Sequence, residues 1–83
     1  MKLSKWDMVL IEWDDTVGQG PNWEEAKDNL LPAECKTVGM VLYKNKKYIT
    51  VCGSVTDEAV SDRTVIPQGC IREIVVLEAK STE

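Results

Sequence analysis

The chain has 83 residues, of which 43% are hydrophobic, and its formal net charge is −4. This length fits one small domain, and the apolar share is typical of a globular chain rather than a disordered one. The negative charge argues against broad binding to nucleic acid or to an anionic membrane, and the absence of histidine removes the usual general base and the commonest metal ligand. We therefore expect a single domain over residues 1–83 that is not an enzyme and holds no metal or cofactor.

The first predicted strand covers residues 7–13. Its apolar residues fall on both faces, with Trp6, Met8 and Leu10 on one and Val9, Ile11 and Trp13 on the other. Strands with this pattern are covered on two sides, so we expect at least partial cover on each face.

A short helix is predicted after this strand. Asn22 and Glu25 have the spacing of a capping box, and Pro32 ends the segment. The helical apolar stripe consists of Trp23, Ala26, Leu30 and Leu31. Two turns are too few to be stable alone, so the helix needs a surface to lie on, with Trp23 as its main anchor.

The remaining pattern predicts four more strands. They cover residues 35–43, 48–52, 63–67 and 70–77, with a lysine-rich hairpin turn at 44–47, a loop at 54–62 and a frayed tail at 78–83. Gly39 suggests a bulge or bend, and Pro67 and Gly69 mark a tight reversal in which the glycine can adopt a positive φ. The fold class is therefore mainly β: a small, strongly bent five-stranded barrel with one short helix after the first strand.

Two resemblances support this fold. The run Val65-Ile-Pro-Gln-Gly-Cys-Ile71 with Ile74 resembles the second signature of Sm-like proteins, and it is also similar to the end of Src-homology-type barrels. A broader resemblance, to a family of small accessory proteins of tailed bacteriophages, covers most of the chain. Its blocks are Ile11-Glu-Trp13, Trp23-x-Glu-Ala26, Pro32-Ala-x-Cys35-x-Thr-Val-Gly39, Tyr48, Ser54, and Ile66-Pro-x-Gly-Cys-Ile71 with Leu77. It implies a similar layout of loops and turns and a setting in the host cell, without known catalytic residues.

Cysteine usage fits a cytoplasmic location. Cys35, Cys52 and Cys70 are widely spaced and odd in number, and the N-terminus has no apolar leader segment. We expect three buried free thiols in the cytoplasm of the host cell, and no membrane association.

Three surfaces are candidate binding sites. Residues 36–48 contain four lysines and no acid, and Tyr43, Lys44, Lys46, Lys47 and Tyr48 combine cations with aromatic rings, as phosphate or base contacts do. The same lysines also suit a soluble hairpin without a ligand. The second surface, a candidate for a protein partner, consists of Trp13, Asp14, Asp15 and Trp23, although tryptophans also form cores and the acids can be a solvated strand end. The third is the last strand, whose outer apolar residues Cys70, Ile74 and Val76 predict a subunit interface and a homo-oligomer.

Three functions remain open from the sequence. The first is a non-enzymatic phage accessory protein that binds a host or phage protein, as an oligomer. The second is an oligomeric Sm-like barrel that binds RNA or sequesters a small nucleotide against host defence. The third is a minor virion or assembly component.

Overall fold

A computed structural model describes residues 2–15 and 33–78 of the chain. This part is mainly β-structure. Its strands are β1 (Met8–Asp15), β2 (Ala33–Lys44), β3 (Tyr48–Cys52), β4 (Ser54–Val55), β5 (Val60–Ser61), β6 (Thr64–Pro67) and β7 (Ile71–Val76), with a 3-10 helix, Gln68–Cys70, between the last two. The predicted helix and most of the predicted tail lie outside the described residues. Within the described ranges, no helix is long and apolar enough to cross a membrane.

The main sheet has the strand order β6-β3-β2-β1-β7, and every neighbouring pair is antiparallel. The five predicted strands are thereby confirmed as β1, β2, β3, β6 and β7. Over residues 2–15 and 33–78, however, no ladder joins β6 to β7. The sheet is therefore open in this structure, and the predicted closed barrel is not found.

A small core lies on one face of this sheet. Its members are buried valine and isoleucine side chains from β1, β2, β3 and β6: Val9, Ile11, Val41, Ile49, Val51 and Ile66. Ile66 and Val9 belong to strands separated by two others, yet both have 0% exposure within one cluster. The core therefore joins side chains from four of the five strands of the main sheet.

The predicted bulge at Gly39 is wrong in position. Gly39 pairs regularly with Val9, and the register shift of β2 falls later, between Val41 and Tyr43. Gly39 instead allows β3 to approach closely, because a Cβ at this position would lie 2.9 Å from the carbonyl oxygen of Cys52.

The predicted loop at 54–62 is also wrong, because β4 and β5 pair there as a small hairpin. Thr56 explains this turn: its hydroxyl accepts hydrogen bonds from the N–H groups of Glu58 and Ala59, at 3.3 and 3.0 Å. Its own N–H donates to the Ala59 carbonyl at 2.7 Å. A side chain that satisfies the turn amides locally stabilises a hairpin that periodicity does not indicate.

The corner between β6 and β7 differs from the prediction in its backbone. No glycine in the described residues has a positive φ, and the reversal is made by the 3-10 helix. Gln68 fixes this corner to the β2–β3 turn. Its N–H donates to the Lys47 carbonyl at 2.8 Å, and its side-chain amide donates to the Asn45 carbonyl at 3.1 Å.

Candidate protein-binding surface

The face of β2, β1 and β7 opposite the core, which we call the convex face, carries a group of apolar side chains. Strand register places Met8 opposite Met40, and Leu10 opposite both Val38 and Val75. Paired residues on antiparallel strands project from the same face and contact each other, so these five side chains form one surface. We call Met8, Leu10, Val38, Met40 and Val75 the outer apolar patch.

The outer apolar patch is open to solvent. Val38 is 64% exposed, Met8 42% and Val75 41%, while Leu10 and Met40 are half-buried between them. Of the β1 residues on this face, Leu10 has the partial cover that the sequence predicted, whereas Met8 is exposed. Contiguous exposed apolar surface of this kind is typical of interaction sites.

Charged side chains border the patch on the same face. In the next two rungs, Glu12 lies opposite Lys36 and Glu73, and Asp14 lies opposite Glu34. The charged groups of this border are Glu12, Asp14, Glu34, Glu73, Lys36 and Arg72. Four carboxylates against two cations give the border a formal charge of −2.

Ion pairs engage both cations of this border. Lys36 Nζ lies 3.6 Å from Glu12, and Arg72 Nη1 lies 3.6 Å from Asp14 and 3.3 Å from Glu34. Their side chains are well exposed, so these pairs contribute little stability. We call this border the acidic rim, and both of its cations already form ion pairs with its carboxylates.

A bulge decides which residues of β7 reach the convex face. The register of β1 and β7 shifts between Glu12 and Trp13, so Arg72 is the extra residue and projects outward with Glu73. Ile71 and Ile74 consequently both pack against the core. The prediction that Ile74 is an outer residue of the last strand is wrong for this reason.

The predicted subunit interface therefore has fewer exposed residues than expected. Ile74 is half-buried against the core, and Cys70 is half-buried in the 3-10 helix. Of the three predicted residues, Val76 alone is exposed, at 41%.

The predicted partner surface is split between two faces. Trp13 packs against the core, and its indole N–H donates to the Thr37 hydroxyl at 2.9 Å, so it does not belong to an outward surface with Asp14. Asp14 lies on the convex face with Arg72, and Asp15 is exposed at the end of β1. Trp23 lies outside the described residues.

The structure brings the predicted phosphate-contact residues together at the β2–β3 turn. Asn45 organises this turn, since its side-chain oxygen accepts from the N–H groups of Lys47 and Tyr48, both at 2.8 Å. The rings of Tyr43 and Tyr48 lie 5.9 Å apart. An open cavity of about 570 Å³ adjoins the turn and is lined by Leu3, Lys44, Asn45, Lys46 and Gln68. Lys47 is exposed but does not line this cavity.

The three cysteines do not form a disulfide bond with one another. Cys52 is buried, Cys35 and Cys70 are half-buried, and all three are free thiols. Over the described ranges, no group of three or more Cys, Asp or Glu side chains is placed to hold a metal ion.

Comparisons with protein-family models, with curated proteins and with solved structures gave no significant match. The resemblances to phage accessory proteins and to Sm-like proteins therefore stay predictions.

The sequence pattern contained a signal for the outer apolar patch. Apolar residues occupy both faces of the first strand, and also both faces of the second. Such strands can be covered or exposed, and the pattern alone does not distinguish the two. Strand register was the missing information, because it places Val38, Leu10 and Val75 side by side.

Proposed function

We propose that this chain is a non-enzymatic binding protein that docks on another protein through the convex face of β2, β1 and β7. The observation that carries the proposal is the outer apolar patch, with Val38 64% exposed at its margin. Desolvating these side chains supplies affinity, and the acidic rim supplies specificity for basic groups around an apolar contact. The resemblance to phage accessory proteins supports a host or phage protein as the partner.

Matched lysine substitutions test this proposal. Val38→Lys puts a charge into the patch, whereas Val65→Lys puts the same charge at a valine of similar exposure, 58%, on β6, two strands away. The tagged wild-type protein should retain a stoichiometric protein partner in pull-downs, Val38→Lys should lose it, and Val65→Lys should keep it. Equal retention by both variants would refute the role of the patch, and recovery in purified virions alone would favour the virion component.

A second candidate function is the binding of RNA or a small nucleotide at the β2–β3 turn. The open cavity beside Lys44 and Lys46, with the exposed ring of Tyr43 nearby, supports it. Lysines attract phosphate, and aromatic rings stack on bases. Absorbance at 260 nm should then co-purify with the protein and disappear in the Lys44/Lys46/Lys47 triple alanine variant, while a Lys36/Arg72 double alanine variant keeps it.

Self-association belongs to the same proposal. The strand order leaves β6 and β7 as the edges of the main sheet, and edge strands can pair with another copy. An Sm-like barrel completed in this way would form an oligomer. Native mass spectrometry tests it, since a monomer of 9.3 kDa at micromolar concentration would contradict the idea.

A further inference from the structure

The N-terminal turn holds a tryptophan in an unfavourable backbone conformation. The turn runs from Ser4 to Asp7: the Asp7 N–H donates to the Ser4 carbonyl at 3.1 Å, and the Ser4 N–H donates to the Asp7 carboxylate at 2.9 Å. Trp6 is its third residue and has a φ of 75°, a conformation that type II turns usually give to glycine. A bulky side chain here opposes the local backbone preference, so the surrounding structure must hold the turn in place.

This turn is anchored to the main sheet. The Trp6 N–H donates to the Val41 carbonyl at 2.7 Å, and the Val41 N–H donates to the Asp7 carbonyl at 2.9 Å. Val41 itself is a buried core residue. The backbone that carries the indole is therefore fixed, although the indole is 44% exposed.

The indole forms one wall of an open cleft of about 270 Å³. The β4–β5 hairpin forms the other wall with Val55, Thr56, Asp57, Glu58, Ala59 and Val60. The cleft thus combines an aromatic ring and small apolar groups with two carboxylates. In the described part of the chain, neither Asp57 nor Glu58 makes an ion pair.

The chemistry of these walls selects a cation. The face of an indole attracts ammonium and guanidinium groups, and carboxylates strengthen that attraction. The protein provides an internal example, because Lys5 Nζ lies over the Trp6 ring, 4.9 Å from its centroid. An anionic ligand would be repelled by Asp57 and Glu58, and a purely apolar one would leave both carboxylates without a partner.

We infer that the Trp6 cleft binds a cationic side chain, arginine above all, of a protein partner, with Lys5 as its internal competitor. Arginine fits because its flat guanidinium can stack on the indole while its N–H groups donate to a carboxylate. This inference does not depend on the outer apolar patch, which consists of other residues. The cleft would bind a basic residue of the partner whether or not the partner also contacts the outer apolar patch.

The test is a nuclear magnetic resonance titration of the ¹⁵N-labelled protein. The probe is the tripeptide acetyl-Ala-Arg-Ala-amide, and its control replaces arginine with neutral, nearly isosteric citrulline. The arginine peptide should shift the Trp6 indole N–H and the amides of Asp57 and Glu58, and should bind about two- to five-fold more tightly than the citrulline peptide. Equal affinity for the two peptides, or no shift at these positions, would overturn the inference.

Three variants assign the interaction to the cleft. Asp57→Asn with Glu58→Gln should reduce arginine binding several-fold, while Asp62→Asn with Glu78→Gln, the same change in net charge at exposed carboxylates outside both the cleft and the acidic rim, should not. Lys5→Gln removes the competitor and should tighten binding, an effect that a merely structural Lys5 would not produce. Equal weakening by both carboxylate pairs, or weaker binding by Lys5→Gln, would contradict the assignment.

Discussion

Gly39 is the position where the structure makes its sharpest prediction about the fold. In Gly39→Ala, the new Cβ would meet the Cys52 carbonyl oxygen at 2.9 Å and two atoms of Val51 at 3.1 and 3.3 Å. The first of these contacts is to backbone, so β3 has to move away from β2. Overpacking of this kind lowers the free energy of unfolding by about 1–3 kcal/mol, whereas replacing a strand glycine by alanine raises it by about 0.5–1 kcal/mol. We therefore expect a net loss of about 1 kcal/mol in the free energy of unfolding.

Gly69 provides the matched control. A Cβ built there meets nothing within 4 Å, and its φ is not positive. Gly69→Ala should therefore be neutral or stabilise the protein by up to about 1 kcal/mol, because alanine restricts the unfolded chain.

Urea unfolding followed by circular dichroism and tryptophan fluorescence measures both variants. The midpoint should fall for Gly39→Ala and stay level or rise for Gly69→Ala, with unchanged denaturant slopes. The expected loss at Gly39 corresponds to about 4–8 °C in melting temperature for a domain of this size. If Gly39→Ala is as stable as the wild type, or if Gly69→Ala loses as much, the close approach of β2 and β3 is wrong.

Three further predictions concern the core, a buried hydrogen bond and the acidic rim, all measured by the same unfolding assay. Ile66→Ala should cost about 2–5 kcal/mol, because this fully buried side chain connects β6 to the core; a loss below about 1 kcal/mol would contradict the burial of Ile66. Thr37→Val should cost about 1–3 kcal/mol by leaving the half-buried Trp13 indole N–H without its partner, and an unchanged midpoint would contradict that hydrogen bond. Arg72→Ala should cost less than about 1 kcal/mol, and less still in 1 M salt, since its ion pairs are exposed; a larger, salt-independent loss would mean that Arg72 has another role.

Much of the fold was predictable because local patterns determine it. The apolar runs of β1 and β3 and the polar turn between β2 and β3 are local patterns of a few residues, and the strands lie where these patterns predicted them. The β4–β5 hairpin was missed because it depends on hydrogen bonds of one side chain, Thr56, rather than on periodicity.

The candidate sites were less predictable, since they depend on register. One extra residue in β7, Arg72, turns Ile74 toward the core and thereby alters the predicted interface. Trp13 and Asp14 are neighbours in sequence but project from opposite faces, so a partner surface that contains both does not form. Trp6 is partly exposed, and its cleft forms only when the β4–β5 hairpin is in place.

Site-specific photo-crosslinking would test the proposed docking surface most directly. A benzophenone amino acid would replace Val38 in one protein and Val65 in another, each expressed in the cells where the chain naturally acts. We predict a discrete covalent adduct with one partner protein from position 38 and none from position 65. Adducts of equal yield at both positions, or none at position 38 while the protein is folded, would contradict docking through the outer apolar patch.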